Sequence, residues 1–182
     1  MTGQAGADLL FWMLARVTGL ASFLAVTVAI LSGVALRTSI LDRIGTNRAW
    51  RELHTFSTVL WIPLGGLHLL TLLVDRTARI APIDLVIPFG VDYGAVPIGL
   101  GTIALDLFLV ATVTGWMKRQ MSQPLWSLVH RLSYPAFGVT FMHAVLSGTD
   151  FSAPAVSAFA WSFGFAVLVL VFARIAWGRL PA

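Results

Sequence analysis

The sequence predicts an all-α polytopic membrane protein, a bundle of about five transmembrane helices that forms one domain over residues 1–182. Of the 182 residues, 58% are hydrophobic and 11% are charged, and the mean hydropathy is +0.86. A soluble domain needs more polar surface than this composition supplies. Five apolar stretches are each long enough to cross a bilayer, which takes about 20 helical residues. No long polar or repetitive tract separates them, so we expect no second domain.

The five predicted spans have bounds near residues 9–36, 54–75, 94–117, 125–147 and 155–178. No basic residue precedes the first span, and its apolar core is longer than that of a cleavable signal peptide, so we expect a permanent span. The segment 79–93 contains Pro82 and Pro88 and is too short to cross the membrane. We expect it to be a partly apolar connector along the outer interface, or alternatively a lid over the outer mouth.

Basic residues predict the orientation of the bundle. In the loops and at the chain end, Arg76 and Arg79 fall on one side of the membrane, and eight residues fall on the other: Arg37, Arg43, Arg48, Arg51, Lys118, Arg119, Arg174 and Arg179. Cytoplasmic loops carry the excess of Lys and Arg, so we expect the N terminus outside and the C terminus inside. Topology therefore explains the net charge of +4, and we expect membrane lipid, and no nucleic acid, as a partner.

Four histidines lie in the apolar segments and form two pairs. His54 and His68 are 14 positions apart in the second span, and His130 and His143 are 13 positions apart in the fourth. An ionisable side chain in hydrocarbon usually has a partner and a function. The two spans run in the same direction, and we expect His54 and His130 to begin their helices at the cytoplasmic side. Depth therefore matches His54 with His130 and His68 with His143. At about 1.5 Å per residue, each pair in sequence is separated by roughly 20 Å along its helix.

This pattern predicts two bis-histidine b-type haems, an inner one on His54 and His130 and an outer one on His68 and His143. A helix–helix hydrogen bond explains a lone intramembrane histidine but not two depth-matched pairs. Zinc needs four ligands, whereas each site offers two nitrogens, and the sequence has no cysteine. No catalytic residue is predicted, because iron with two axial histidines has no open position and carries electrons only.

The helical angles make a further prediction about the second pair. Fourteen residues at about 100° each leave His54 and His68 on one face, whereas thirteen leave His130 and His143 about 140° apart. Pro135 lies between the latter two. Since proline kinks or retwists a helix, we expect a local distortion near Pro135 that brings His143 round.

Other polar and aromatic residues are candidate cofactor contacts. We expect Arg16 and Arg131 to pair with anionic haem propionates, or alternatively to extend to the interface. Arg51 is a further candidate near the inner ligands. Trp61 is seven residues from His54 and from His68, so we expect it between the two haems, although core packing alone would explain it.

Two other sets of residues leave alternatives open. Asp106, within the third predicted span, is protonated, paired with Arg16, or part of a proton route. Three glycines near the ligands favour either close approach of a large cofactor or helix–helix packing, and these are Gly65, Gly66 and Gly138.

Several motifs resemble the ferric reductase-like transmembrane domain superfamily. The segment from Trp116 to His143, with VHRLSY at 129–134, is similar to the haem-binding membrane subunit of the bacterial methionine sulfoxide reductase system. His54 and His68 match the first ligand helix, and the 14/13 spacing is similar to that of the NADPH oxidase membrane core. Short actinobacterial members have stretches similar to RVTG at 16–19, PIDLVIPF at 82–89 and SGTD at 147–150.

The resemblance implies transmembrane electron transfer by the membrane component of a reductase system in a bacterial plasma membrane. The superfamily usually has six spans, whereas we predict five here. No segment of this sequence is long enough for a nucleotide-binding domain, so we expect a separate electron-donor protein or a quinol as donor. One alternative is an accessory or anchoring cytochrome b subunit, with partner subunits, of a larger respiratory or photosynthetic complex. Another is a transporter with histidine-lined proton sites.

Overall fold

Helix is the only regular secondary structure in the part of the chain that the computed structural model describes, residues 2–36, 44–76 and 79–176. The predicted all-α fold is therefore confirmed for these residues. Short 3-10 segments lie at Pro82–Leu85, Met117–Gln120 and Thr149–Ser152. The α-helices are α1 (Thr2–Ala35), α2 (Asn47–Val74), α3 (Ala95–Trp116), α4 (Gln123–His130), α5 (Ser133–Ser147) and α6 (Pro154–Ala176).

Within the described part of the chain, four helical segments are long and apolar enough to cross a membrane: Gly6–Ala35, Asn47–Val74, Ala95–Gln120 and Pro154–Arg174. They correspond to four of the five predicted spans, so a multi-pass membrane protein is confirmed at that level. The remaining predicted span, near 125–147, is not one continuous helix, because it is divided between α4 and α5. Large apolar side chains such as Phe165 and Phe172 are each 67% exposed, and a lipid surface would cover them.

The helix α2 begins seven residues before the predicted span at 54. The hydroxyl of Thr46 accepts a hydrogen bond from the Ala49 N–H at 3.2 Å and caps the helix. In the first turn, Arg48 pairs with Glu52, four residues further along the helix, at 2.8 Å. These polar first turns do not contribute to an apolar run, so hydropathy misses them. The expectation that His54 begins its helix is wrong, since it lies two turns inside α2.

The connection between α4 and α5 contains the distortion predicted near Pro135. The Leu132 N–H donates to the Val129 carbonyl at 3.0 Å, and the Tyr134 N–H donates to the Arg131 carbonyl at 3.1 Å. These are bonds to the third preceding residue, which advance the helix by about 120° per residue rather than 100°. The tighter winding turns α5 in the sense that brings His143 toward the face of His130. His130 ends α4, so the expectation that it begins a helix is also wrong.

The helices pack mainly as two pairs, α1 along α2 and α3 along α5, with α6 against α1. A buried apolar cluster lies between them and consists of Ala25, Val26, Ile30, Trp61, Phe108, Ala136, Phe137 and Val167. The buried hydroxyls of Thr27 and Ser32 on α1 donate to carbonyls four residues earlier in the same helix, so they introduce no unsatisfied polar group. The histidine-bearing helices α2 and α4–α5 thus belong to opposite pairs.

The segment 79–93 lies against the beginning of α3 and contains no helix long enough to span, as predicted. The Thr102 hydroxyl donates to the Asp84 carbonyl at 2.7 Å. A Cβ added at Gly99 would lie 2.2 Å from the ring of Phe89, so this glycine is what lets the segment pack closely on the helix.

Candidate functional site

The histidines meet across the two helix pairs as the sequence predicts. The ring centroids of His54 and His130 are 6.3 Å apart with the ring planes at 81°. Those of His68 and His143 are 6.5 Å apart with the planes at 72°. The depth matching of inner with inner and outer with outer therefore holds in the structure. We call these the inner pair and the outer pair.

The separation within each pair fits a single metal ion between two imidazoles. A metal–imidazole nitrogen bond is about 2.0 Å long. A five-membered ring with bonds of about 1.35 Å places each atom about 1.15 Å from the centroid. Two such ligands on opposite sides of one ion therefore have centroids about 6.3 Å apart. The observed 6.3 and 6.5 Å agree with this value, and neither described pair is joined by a direct imidazole–imidazole hydrogen bond.

Three of the four imidazoles are fixed through Nδ1. The Nδ1 of His54 is 2.8 Å from the Ala29 carbonyl oxygen and that of His68 is 2.8 Å from the Ala15 oxygen. In His143, Nδ1 is 2.7 Å from the Pro97 oxygen. A carbonyl only accepts, so Nδ1 carries the proton in each bond and Nε2 keeps its lone pair. In metal sites, a hydrogen bond of this kind fixes the orientation of a ligating histidine ring and the nitrogen that carries its proton.

A cavity of about 1240 Å³ surrounds the inner pair, larger than the roughly 300–1,000 Å³ of sites for drug-sized ligands. Three residues that the sequence predicts as cofactor contacts, Arg51, Arg131 and Trp61, line it together with both inner histidines. The structure therefore brings five of the eight predicted site residues to one place. Lys118 and Arg174 also line this cavity, so its lining is rich in cationic side chains.

Trp126 is a contact of the inner pair that sequence reasoning missed. Its ring stacks on His130 with centroids 5.0 Å apart and planes at 17°, and the ammonium of Lys118 lies 4.3 Å from the Trp126 ring centroid. The indole Nε1 is buried without a hydrogen-bond partner beside the cavity, and such a donor suits an acceptor on a bound group. Trp126 lies one helical turn before His130, and this spacing could have predicted the contact.

Trp61 lies between the inner and outer pairs, as its position in α2 predicts. It is 8% exposed and belongs to the buried cluster. Its ring packs on Phe108 with centroids 6.0 Å apart. Of the three glycines considered above, Gly65 packs against Trp61 and the Ser22 hydroxyl, whereas nothing lies within 4 Å of a Cβ added at Gly66 or Gly138.

Arg16 has a protein partner near the outer pair, and that partner is not Asp106. Its Nε donates to Oδ2 of Asp150 at 2.9 Å, its second terminal nitrogen bonds Oδ1, and its guanidinium lies 4.1 Å from the Trp12 ring centroid. The pairing of Arg16 with Asp106 is therefore wrong. Asp150 belongs to the SGTD stretch and Arg16 to RVTG, so the ion pair joins two motifs that the resemblance singled out. A propionate contact of Arg16 stays a prediction.

Replacing Asp150 with asparagine should lower the free energy of unfolding by about 1–3 kcal/mol, because a partly buried guanidinium loses its anionic acceptor. The side chains of Arg16 and Asp150 are 29% and 27% exposed. Glu52→Gln is the matched control, since Arg48 and Glu52 are 89% and 66% exposed and such a pair contributes at most about 0.5 kcal/mol. Equilibrium unfolding in detergent micelles measures both, and equal losses would contradict the prediction.

Among the described residues, no group of three or more His, Cys, Asp or Glu side chains could hold a metal ion alone. Two histidines per site suit a group that brings its own remaining ligands. Asp106 is exposed on α3. The loop arginines Arg37, Arg43 and Arg179 lie outside the described residues. No family model, curated protein or solved structure matches this chain.

Proposed function

We propose that this protein binds two b-type haems and conducts electrons between the two faces of a membrane. The inner haem would be held by His54 and His130 and the outer by His68 and His143. The observation that carries the proposal is the ring separation of 6.3 and 6.5 Å in two histidine pairs at different depths of the bundle. Two independent pairs with the same ligand separation are not required for helix packing, which any apolar side chains could provide.

The donor set fits haem better than a bare metal ion. Each site offers only two imidazole side chains, and a porphyrin would bring the remaining ligands of its metal itself. When bound, such a group would supply a one-electron carrier. The backbone carbonyls hold Nδ1 of His54, His68 and His143, so these ligands are oriented before any group binds.

Cationic side chains and a buried N–H donor around the inner pair favour binding of the negatively charged edge of a cofactor. Arg51 and Arg131 line the cavity with Lys118, and Trp126 supplies an unsatisfied buried N–H. Carboxylates pair well with guanidinium groups, which donate two parallel hydrogen bonds. In this proposal these residues bind the propionates of the inner haem, and Arg16 serves the outer haem while it remains paired with Asp150.

The proposal includes five membrane crossings with the N terminus outside. The segments α4 and α5 together form the fifth crossing, since α5 packs along α3 and their combined helical length is close to a span. The inner pair then faces the cytoplasm of a bacterium, where the basic residues cluster. A separate donor protein or a quinol delivers electrons there, and an acceptor takes them near the outer pair. This is the arrangement implied by the ferric reductase-like resemblance.

Absorption spectra of the purified protein, oxidised and dithionite-reduced, test haem binding directly. We expect low-spin b-type spectra and a pyridine haemochrome count of two per chain. A variant with His54→Ala and His68→Ala lacks one ligand at each site and should bind neither haem, whereas Phe172→Ala on the exposed face of α6 should bind both. A folded protein that takes up no haem on supplementation would overturn the proposal.

Conduction is tested in vesicles that contain the purified protein with ferricyanide trapped inside and a membrane-impermeant reductant outside. Internal ferricyanide should be reduced only when both haems are present. Vesicles with the double histidine variant give the background rate. A rate equal to this background in the fully haem-loaded protein would contradict electron conduction across the membrane.

A further inference from the structure

Four five-residue segments, each with Ala or Pro first and glycine fifth, lie opposite the four histidines, one opposite each. The segments are ARVTG at 15–19 and AILSG at 29–33 on α1, and PIGLG at 97–101 and ATVTG at 111–115 on α3. On each helix the two copies are 14 residues apart, which matches the spacing of His54 and His68. The first residue of each copy supplies the carbonyl that faces Nδ1, and the fifth residue is always glycine. We call these segments the pentapeptide cradles.

The geometry of a helix explains why the fifth residue is glycine. Each Cα–Cβ bond tilts toward the N terminus, so the side chain four residues on covers the carbonyl of the first residue. An imidazole from another helix can reach that carbonyl only where this side chain is missing. A Cβ added at Gly19 would lie 2.9 Å from Nδ1 of His68, and one at Gly101 would lie 2.8 Å from Nδ1 of His143. At Gly33 the distance to the His54 ring is 3.2 Å.

The fourth cradle, at 111–115, holds its histidine less closely than the other three. Nothing lies within 4 Å of a Cβ added at Gly115. The Nδ1 of His130 faces the Ala111 carbonyl but has no partner that meets hydrogen-bond geometry. The ring of His130 instead stacks on Trp126. The outer pair is therefore fixed by cradles on both sides, whereas the inner pair is fixed on one side only.

We propose that the glycines of three cradles, Gly19, Gly33 and Gly101, are positioning residues that hold the imidazoles ready to ligate a metal, and that the open fourth cradle makes the inner site the weaker binder. Fixing a ligand before binding removes an ordering cost, so a site with both ligands fixed binds more tightly. The identity of the bound group as haem rests on the proposed function, but the cradle geometry does not.

Gly101→Ala and Gly115→Ala form a matched pair of variants on α3. The new methyl group at 101 meets the His143 ring, so we expect the outer haem to bind 10- to 100-fold more weakly, the usual range for loss of a ligand's supporting contact. The methyl group at 115 meets no protein atom and lies at the inner cavity, so binding of the outer haem should be unchanged. Alanine stabilises a helix over glycine by about 1 kcal/mol, so lost binding in the first variant would not come from a weaker helix.

Titration of the haem-free protein with haem, followed by absorption, measures both variants and also tests the order of the sites. In the unmodified protein the outer site should fill first, and Gly101→Ala should reverse the order. Gly19→Ala should resemble Gly101→Ala, while Gly33→Ala should affect the inner site. Unchanged binding of the outer haem in Gly101→Ala, or an equal loss of outer-haem binding in Gly101→Ala and Gly115→Ala, would overturn the proposal.

Nitrogen NMR of the imidazoles in the haem-free protein gives a readout that needs no cofactor. Three histidines should show the Nδ1-protonated form, with Nε2 unprotonated, and His130 should show a mixture of both neutral forms. The Gly101→Ala variant should shift His143 alone toward a mixture. If the unmodified protein bound no haem, the proposed function would fail. These spectra would still show whether the pentapeptide cradles fix the histidine rings. Identical protonation patterns for all four histidines would contradict the proposed difference between the cradles.

Discussion

Under the proposed function, replacing His143 with alanine should reduce the haem content from two per chain to one and remove only the outer site. The outer haem would then have His68 as its single protein ligand, and the imidazole of His68 cannot fill both axial positions. The inner pair lies about 20 Å away along the helices and keeps both of its ligands. The low-spin spectrum of the inner haem should persist, whereas electron transfer across vesicles should fall to the background rate.

Two controls separate ligand loss from damage to the fold. Met142 lies beside His143 on α5 and is 42% exposed, so Met142→Ala should retain both haems. Free imidazole added to the His143→Ala protein should restore the second haem, because the ligand returns without its tether to the backbone. Retention of two haems by His143→Ala, or loss of both, would contradict the assignment of this residue to the outer site.

The sequence predicted the histidine pairs because their depth depends only on spacing and helix direction. His54 and His68 share a face by helical period alone, and Pro135 predicted the distortion that lets His143 join them. The carbonyl partners of the histidines could not be predicted from the sequence, because Ala15 and Pro97 become partners only through the packing of α1 on α2 and α3 on α5. The 14-residue repetition of a glycine after an Ala or Pro carbonyl was nevertheless present in the sequence.

Long-range ion pairs and polar helix ends were harder to predict. Arg16 pairs with Asp150, 134 residues away, and no local pattern distinguishes that carboxylate from Asp106. The first turns of α2 were missed because Thr46 and the Arg48–Glu52 pair stabilise helix without apolar residues. In contrast, the four long apolar helices were predicted well, since backbone groups in a bilayer must be satisfied within the segment.

Replacing Trp61 with alanine should lower the free energy of unfolding by about 3–5 kcal/mol, the cost of truncating a large buried aromatic side chain. Trp61 is 8% exposed and belongs to the buried apolar cluster between the helices. In a membrane the loss comes from packing contacts rather than from exclusion of water, because lipid is as apolar as the core. Equilibrium unfolding in mixed micelles measures this loss.

Trp61→Phe distinguishes packing from a part in electron transfer between the sites. Phenylalanine keeps the stacking on Phe108, so this variant should recover most of the stability and retain both haems. If Trp61 only fills the core, electron transfer across vesicles by Trp61→Phe should match the unmodified protein. A rate that falls several-fold in Trp61→Phe, with both haems bound and their potentials unchanged, would instead assign the indole a place in the electron path. Unchanged stability in Trp61→Ala would contradict its role in the core.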